Sequence, residues 1–320
     1  MGRSRAVPST PGTTNPLARL RPRLPLSMAD FARRGFRLDR PTQRAVLERH
    51  AGNFLGGFNL AVRSWRAPHE PLSEVAEEER GFAYEGAAMF AGLLDLATAG
   101  RARALDRLLA GPGAGYPHLV HVGAGWLFTA ARVPAVVRLP SAPLLRWLAL
   151  DGNGFGEVYF GGVEALLRRA GRTPGPVWQA RLAGCGRALW FVQSADPDGV
   201  AEVIERAPVA ARPHLWSGVG LACAYAGAVD DAGRAALLDL ARPHRSHFAQ
   251  GVVFAVGARA RSGVVPDHTR DACAQLVGVT VEEAARWTDE TSADLLGYRH
   301  VHAYLEWKAR LRALIDGGGR

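Results

Sequence analysis

The sequence predicts an all-α fold: an array of helical hairpins with a repeat of about 33 residues, closed into an α/α toroid or left open as a solenoid. Two observations carry this. The stretch HLWSGVGLACAYAG at 214–227 shares its small-residue core with HVGAGWLF at 121–128, LDGNGFGEVYF at 150–160, LAGCGRALWF at 182–191 and HFAQGVVFAVGAR at 247–259. The anchoring glycines Gly123, Gly152, Gly184, Gly218 and Gly251 are 29, 32, 34 and 33 residues apart, and GFAYEGAAMF at 81–90 adds a weaker copy at Gly86. Self-similarity at such spacings marks stacked supersecondary units. The second observation is an aspartate where the second helix of a hairpin would begin: Asp196 before Pro197, Asp230 before Asp231, and Asp267 after Pro266. An aspartate there accepts hydrogen bonds from amides that the first turn leaves free.

The elements follow in order. Residues 1–27 mix Pro, Arg, Thr and Ser and read as a disordered tail, which leaves 28–320 as one all-helical domain. A proline-started amphipathic helix spans 41–65, with Val46, Leu47, Phe54, Phe58 and Val62 at helical spacing. The acidic run EVAEEERG then suits the N-terminus of the helix bearing Gly86. GPGAGYP at 111–117 lacks the Lys-Ser/Thr of a phosphate loop and reads as a turn. DGNGFG at 151–156 has too few spaced carboxylates for a calcium loop and no preceding strand for a dinucleotide fingerprint. Within the anchored helices, Ser217, Gly220 and Ala224, like Gly251, Ala255 and Ala258, form a stripe of small residues that lets a neighbouring helix approach. A last helix from about Tyr298 to Ile315, with Trp307 and several arginines, is expected as a polar cap on the array.

At 320 residues and 48% hydrophobic composition, the chain can bury a large core. The formal charge of +9 is almost all arginine, Lys308 being the single lysine. Its scatter gives no basic stripe interleaved with aromatics, so no nucleic-acid partner is expected. The least charged run, 215–229, is shorter than a membrane span, and no secretory leader opens the chain, so the expected location is the cytoplasm. Cys185, Cys223 and Cys273 are three and far apart, which favours buried thiols.

Histidine pairs such as His118 with His121 and His244 with His247 lack the partners of a metal site, and no metal is expected. His214 and His247 precede their anchors at the same place, which suggests a structural role. Nothing names a cofactor. Chemistry is left to charged residues set among small ones: Glu85, Asp151, Glu157, Arg187 and Arg259. Either Glu85 or Asp151 pairs with Arg187 or Arg259 as a structural bridge, or these groups face a shared cavity. Tyr84, Trp126, Phe155, Tyr159, Trp190, Trp216 and Tyr225 accompany them, either as core or as the lining of a channel for a flat, elongated apolar ligand.

Seven motifs taken together, FARRGF at 31–36, GFAYEGAAM at 81–89, VGAGW at 122–126, LALDGNGFGEVYF at 148–160, GCGRALWFV at 184–192, LWSGVGLACAYAG at 215–227 and AQGVVFAVGAR at 249–259, resemble the UnbL-like family. That family, of unknown molecular function, is found in enediyne antibiotic gene clusters beside an iterative polyketide synthase. The resemblance covers about residues 28–310. It places Glu85 in the GFAYEGA motif, Asp151 in DG-x-GF and Arg187 in GxGR-x-x-WF, and makes these three the candidate catalytic residues. The chain departs from the family pattern at Asn153, where an aromatic is expected, and at Ala228, where a glycine is expected. The resemblance implies an accessory protein that binds, and helps convert, a linear polyene from the synthase. It also implies companion pathway proteins, one of them in the membrane, through which this chain could become membrane-associated. The alternative is a helical scaffold that docks partner proteins and has no small-molecule site.

Overall fold

The computed structural model describes residues 23–130 and 142–317, and among them there are helices and no strand. Fifteen α-helices follow in order: α1 (Phe31–Arg34), α2 (Pro41–Ser64), α3 (His69–Ser73), α4 (Glu77–Ala97) and α5 (Ala104–Leu109). Then come α6 (Pro117–Ala130), α7 (Leu148–Ala170), α8 (Pro176–Val192), α9 (Pro197–Glu205) and α10 (Arg212–Ala226). The last are α11 (Asp231–Leu240), α12 (Arg245–Ser262), α13 (Asp267–Leu276), α14 (Val281–Ser292) and α15 (Val301–Gly317). Asp196 and Asp230 cap α9 and α11 by accepting from Gly199 N and Gly233 N. At α13 the cap position is Pro266, so Asp267 lies inside the first turn. The expected tail at 1–27 falls mostly outside the described residues. Its end is structured, however: Leu24 exchanges two hydrogen bonds with the Asn59 side chain, and residues 26–29 form a 3₁₀ turn.

Helices α2, α4, α6, α7, α8, α10 and α12 pack in that order, each against the one before and the one after. The glycines explain how. In α6, α7, α8 and α10 they come as Gly-x-Gly, and two positions two residues apart lie on nearly opposite sides of a helix. A Cβ on Gly184 would lie 1.9 Å from Asp151 O in α7, and one on Gly186 would lie 2.0 Å from Leu215 O in α10. Gly218 and Gly220 likewise abut Ala183 O behind and Phe248 O ahead. The stripe expected from Ser217, Gly220 and Ala224 is therefore two-sided, with Gly218 serving one neighbour and Gly220 the other. Backbones meet at distances that no other residue permits, which offsets the ~1 kcal/mol that glycine costs inside a helix.

The short helix α11 packs against α9 and α13, of which α9 packs in turn against α10, and α13 against α10 and α12. The buried apolar residues of these three helices include Val203, Leu237 and Leu276. Early helices are also tied to late ones. Arg259 of α12 donates to Glu78 O and Tyr225 O, both at 2.7 Å, and His50 of α2 lies 3.0 Å from Ala226 O. Arg37 N donates to Val192 O at 3.0 Å. The closing helix is less polar than expected: Tyr304, Trp307, Lys308 and Leu311 are buried, and the Trp307 indole donates to Thr288 O.

Candidate functional site

A cavity of about 580 Å³ lies among α2, α4, α6, α7, α8 and α10. Its wall follows from the anchoring glycines. Three residues past Gly86, Gly123, Gly152, Gly184 and Gly218 stand Met89, Trp126, Phe155, Arg187 and Leu221, and all five line it, whereas Phe254, three past Gly251, lines a smaller void. Seven residues past Gly152, Gly184 and Gly218 stand Tyr159, Phe191 and Tyr225, which line it too. Positions three and seven lie about 40° apart on a helix, so one stripe per helix faces the cavity.

At the inner end stand the charged groups. Arg187 presents a fork to Glu85, Nη1 to Oε2 at 3.3 Å and Nη2 to Oε1 at 3.2 Å, while the Trp126 indole donates to Oε1 at 3.0 Å. On its other edge, Arg187 Nε is 3.0 Å from Asp151 Oδ1, although the two are not aligned for a hydrogen bond. The guanidinium lies 4.5 Å from the Phe155 ring centroid. All of these residues are buried. The backbone contacts that place them are local: Gly123 abuts Glu85 O and Gly184 abuts Asp151 O, which sets Trp126 and Arg187, one turn on, beside those carboxylates.

One cation thus serves two carboxylates. Burial pushes the Asp151 carboxyl up, with Arg187 opposing and Glu85 adding to the rise. For Arg187, burial is the largest influence and weakens the charged form, yet Asp151 and Glu85 together outweigh it, so the guanidinium stays charged. Behind the triad lies a second void of about 50 Å³, with Asp151, Tyr304 and Trp307 in its wall. Arg187, Leu221 and Tyr225 border both spaces.

Of the residues singled out by sequence, Glu85, Arg187, Trp126, Phe155, Tyr159 and Tyr225 meet in the large cavity, while Asp151 faces the small void. Three aromatics stand elsewhere. Tyr84 stacks on Tyr116 at 4.3 Å with its hydroxyl 2.9 Å from His69 Nδ1, Trp190 donates to Gly227 O, and Trp216 packs edge-on to Phe248. Tyr84 and Trp216 lie two residues before their anchors, about 140° from the cavity-facing position. Arg259 has backbone carbonyls in place of the expected carboxylate, with Tyr225 under its guanidinium at 3.9 Å. Glu157, at the rim, is held by Arg169 through two hydrogen bonds. Sequence reasoning missed Met89, Leu221, Phe191 and His50, all in the wall. For the first three, counting from the anchors was the available signal; His50 carries none.

Among the described residues, no group of three or more His, Cys, Asp or Glu side chains is placed to hold a metal. His214 and His247 touch at 5.8 Å, and burial pushes both to about 3, so they are neutral packing groups. Lys308 is pushed from its ordinary 10.5 down to about 8 by burial, with Arg312 adding to the fall and Asp151 opposing it. A depressed amine favours folding at high pH, and that stability is lost as the pH falls through the folded value. Relative to Lys308→Met, the wild type is expected to gain on the order of 3 kcal/mol between pH 7 and pH 10.5. Paired denaturant melts at those two pH values measure it; a constant difference would contradict the burial of the amine.

No curated protein and no solved structure matches this chain. Residues 18–315, which take in every residue of the cavity wall, match the DUF1702 family, described as a protein of unknown function, and the chain belongs to that family.

Proposed function

We propose that this chain is an accessory protein of enediyne biosynthesis that takes up a linear polyene from an iterative polyketide synthase and holds it in the large cavity. The observation that carries the reading is a roomy, mostly apolar chamber with one polar end, where Arg187, Glu85 and the Trp126 indole converge. Such a space suits an elongated apolar molecule, and a few fixed polar groups set its orientation. The seven-motif resemblance supplies the pathway. The positional rule from the glycine anchors, together with the ordered packing of α2 through α12, supports a repeated unit of about 33 residues closed towards a toroid.

In this reading the site binds and presents. Glu85 is engaged by three donors and serves to fix Arg187 and Trp126 in place, while Asp151 faces the small void and not the chain. Companion proteins, one of them in the membrane, are the proposed partners. No helix among the described residues is long and apolar enough to cross a membrane, and the proposal puts membrane attachment on the companion. The cytoplasm is the proposed location. The scaffold alternative calls for exposed aromatics along a groove, and all seven aromatics singled out by sequence are buried.

Titration with a linear conjugated polyene hydrocarbon tests the site. Wild-type protein is expected to bind it saturably with quenching of tryptophan emission. Ala222→Phe, which puts a ring into the chamber from a buried wall position, is expected to bind at least tenfold more weakly with its helical spectrum unchanged. Equal binding by the two proteins would place the ligand elsewhere.

A further inference from the structure

We propose that the ligand is amphipathic, an apolar chain whose anionic end group, a carboxylate or a phosphate, stays at the cavity mouth on Arg168. The inference rests on the reading of the cavity as the polyene site and adds the chemistry and direction of the ligand.

The mouth is identified by exposure. Most of the wall is buried, whereas Phe160, Gly161 and Arg168 are exposed and Leu24 and Met28 across from them are half-buried. Helix α7 shapes one side of the opening. It breaks at Gly162, with φ 63° and ψ −160°, so its first half lines the chamber and its second half brings Arg168 back to the rim. A Cβ on Gly161 would lie 3.9 Å from Arg168 Nη2, which places the guanidinium beside the opening.

Charge decides the direction. At the inner end Arg187 already faces both Glu85 and Asp151, and Arg259 over the Tyr225 ring stands outside the wall, so no cation of the wall is left there for an acid, and a further buried anion would be costly. At the rim Glu157 is spent on Arg169. Arg168 makes no ion pair among the described residues. On the Phe160 side of the opening, Arg34 lies 5.0 Å from the Phe160 ring centroid, donates Nη2 to Tyr159 O, and keeps Nε buried without an acceptor. An anion at this place gains charge-assisted hydrogen bonds while remaining partly hydrated. The apolar body then runs along the Trp126 and Phe155 rings into the chamber.

The test uses the full chain and cis-parinaric acid, a conjugated tetraene fatty acid, read by energy transfer from tryptophan. Palmitate, hexadecyl phosphate and methyl palmitate compete for it. The acid or the phosphate is expected to displace the probe at least tenfold better than the methyl ester, and the better of the two identifies the end group. Arg168→Glu is expected to weaken the acids at least tenfold and to leave the ester unchanged, whereas Arg168→Lys retains most of the affinity. Arg168 is exposed, so circular dichroism of both variants should match the wild type. An ester that competes as well as the acids, or acid binding indifferent to Arg168→Glu, overturns the end-group assignment while the cavity site stands. Failure of the polyene hydrocarbon, the acids and the ester alike overturns both.

Discussion

Replacing Arg187 with leucine is expected to destabilise the protein by about 3–5 kcal/mol, because it strands two buried carboxylates that share this one cation. Much of that cost is the desolvation of Glu85 and Asp151 and not the worth of the bridge itself. Adding Glu85→Gln and Asp151→Asn to the Arg187→Leu chain should therefore recover a large part of the loss. Asp151→Asn alone should cost far less than Arg187→Leu, since burial already favours the uncharged carboxyl and the amide keeps its shape. Denaturant melts of the three variants check this. A loss below about 1 kcal/mol for Arg187→Leu would mean that solvent reaches the triad.

The second large effect is expected at the helix crossings. Gly220→Leu should cost about 3 kcal/mol or more, since even its Cβ would sit 2.1 Å from Phe248 O and the two backbones would have to part. Gly52 provides the contrast. It lies inside α2 with nothing within 4 Å of the point where a Cβ would stand, so Gly52→Ala should be neutral or stabilising by up to about 1 kcal/mol. Thermal or denaturant melts of the two variants separate close approach from helix propensity. Equal tolerance at both positions would remove the glycine contacts as the cause of the packing.

The helical class was legible because the glycine anchors, the aspartate caps and the apolar spacing all pointed to helix. The pairing of Glu85 and Asp151 with Arg187 was legible only as one alternative among several. Glu85 and Asp151 lie beside their anchors and Arg187 three residues past its own, each on a different helix, and nothing local states which carboxylate reaches which arginine. Tyr84, Trp190 and Trp216 looked equivalent to Trp126 and Phe155 because composition does not register the 100° that each residue turns. Counted from the anchors, Trp126 and Phe155 fall at the same position as Met89 and Leu221, which carry no aromatic ring to draw notice. Arg168 was passed over as one arginine among many; it differs in standing at the rim beyond a break in α7 that only backbone geometry reveals. Lys308 shows the opposite failure. A lysine in a terminal helix reads as solvated, yet α15 turns that side inward, with its ammonium 5.7 Å from the Tyr304 ring centroid.

The cavity's role is tested most directly by what the protein carries. The chain is produced in a strain that also makes the iterative polyketide synthase, purified, and extracted for conjugated polyenes. About one polyene per chain is expected from wild-type protein and almost none from Ala222→Phe prepared in the same yield. Wild-type protein free of polyene, or an equal load on both proteins, would contradict the assignment of this cavity as the ligand site.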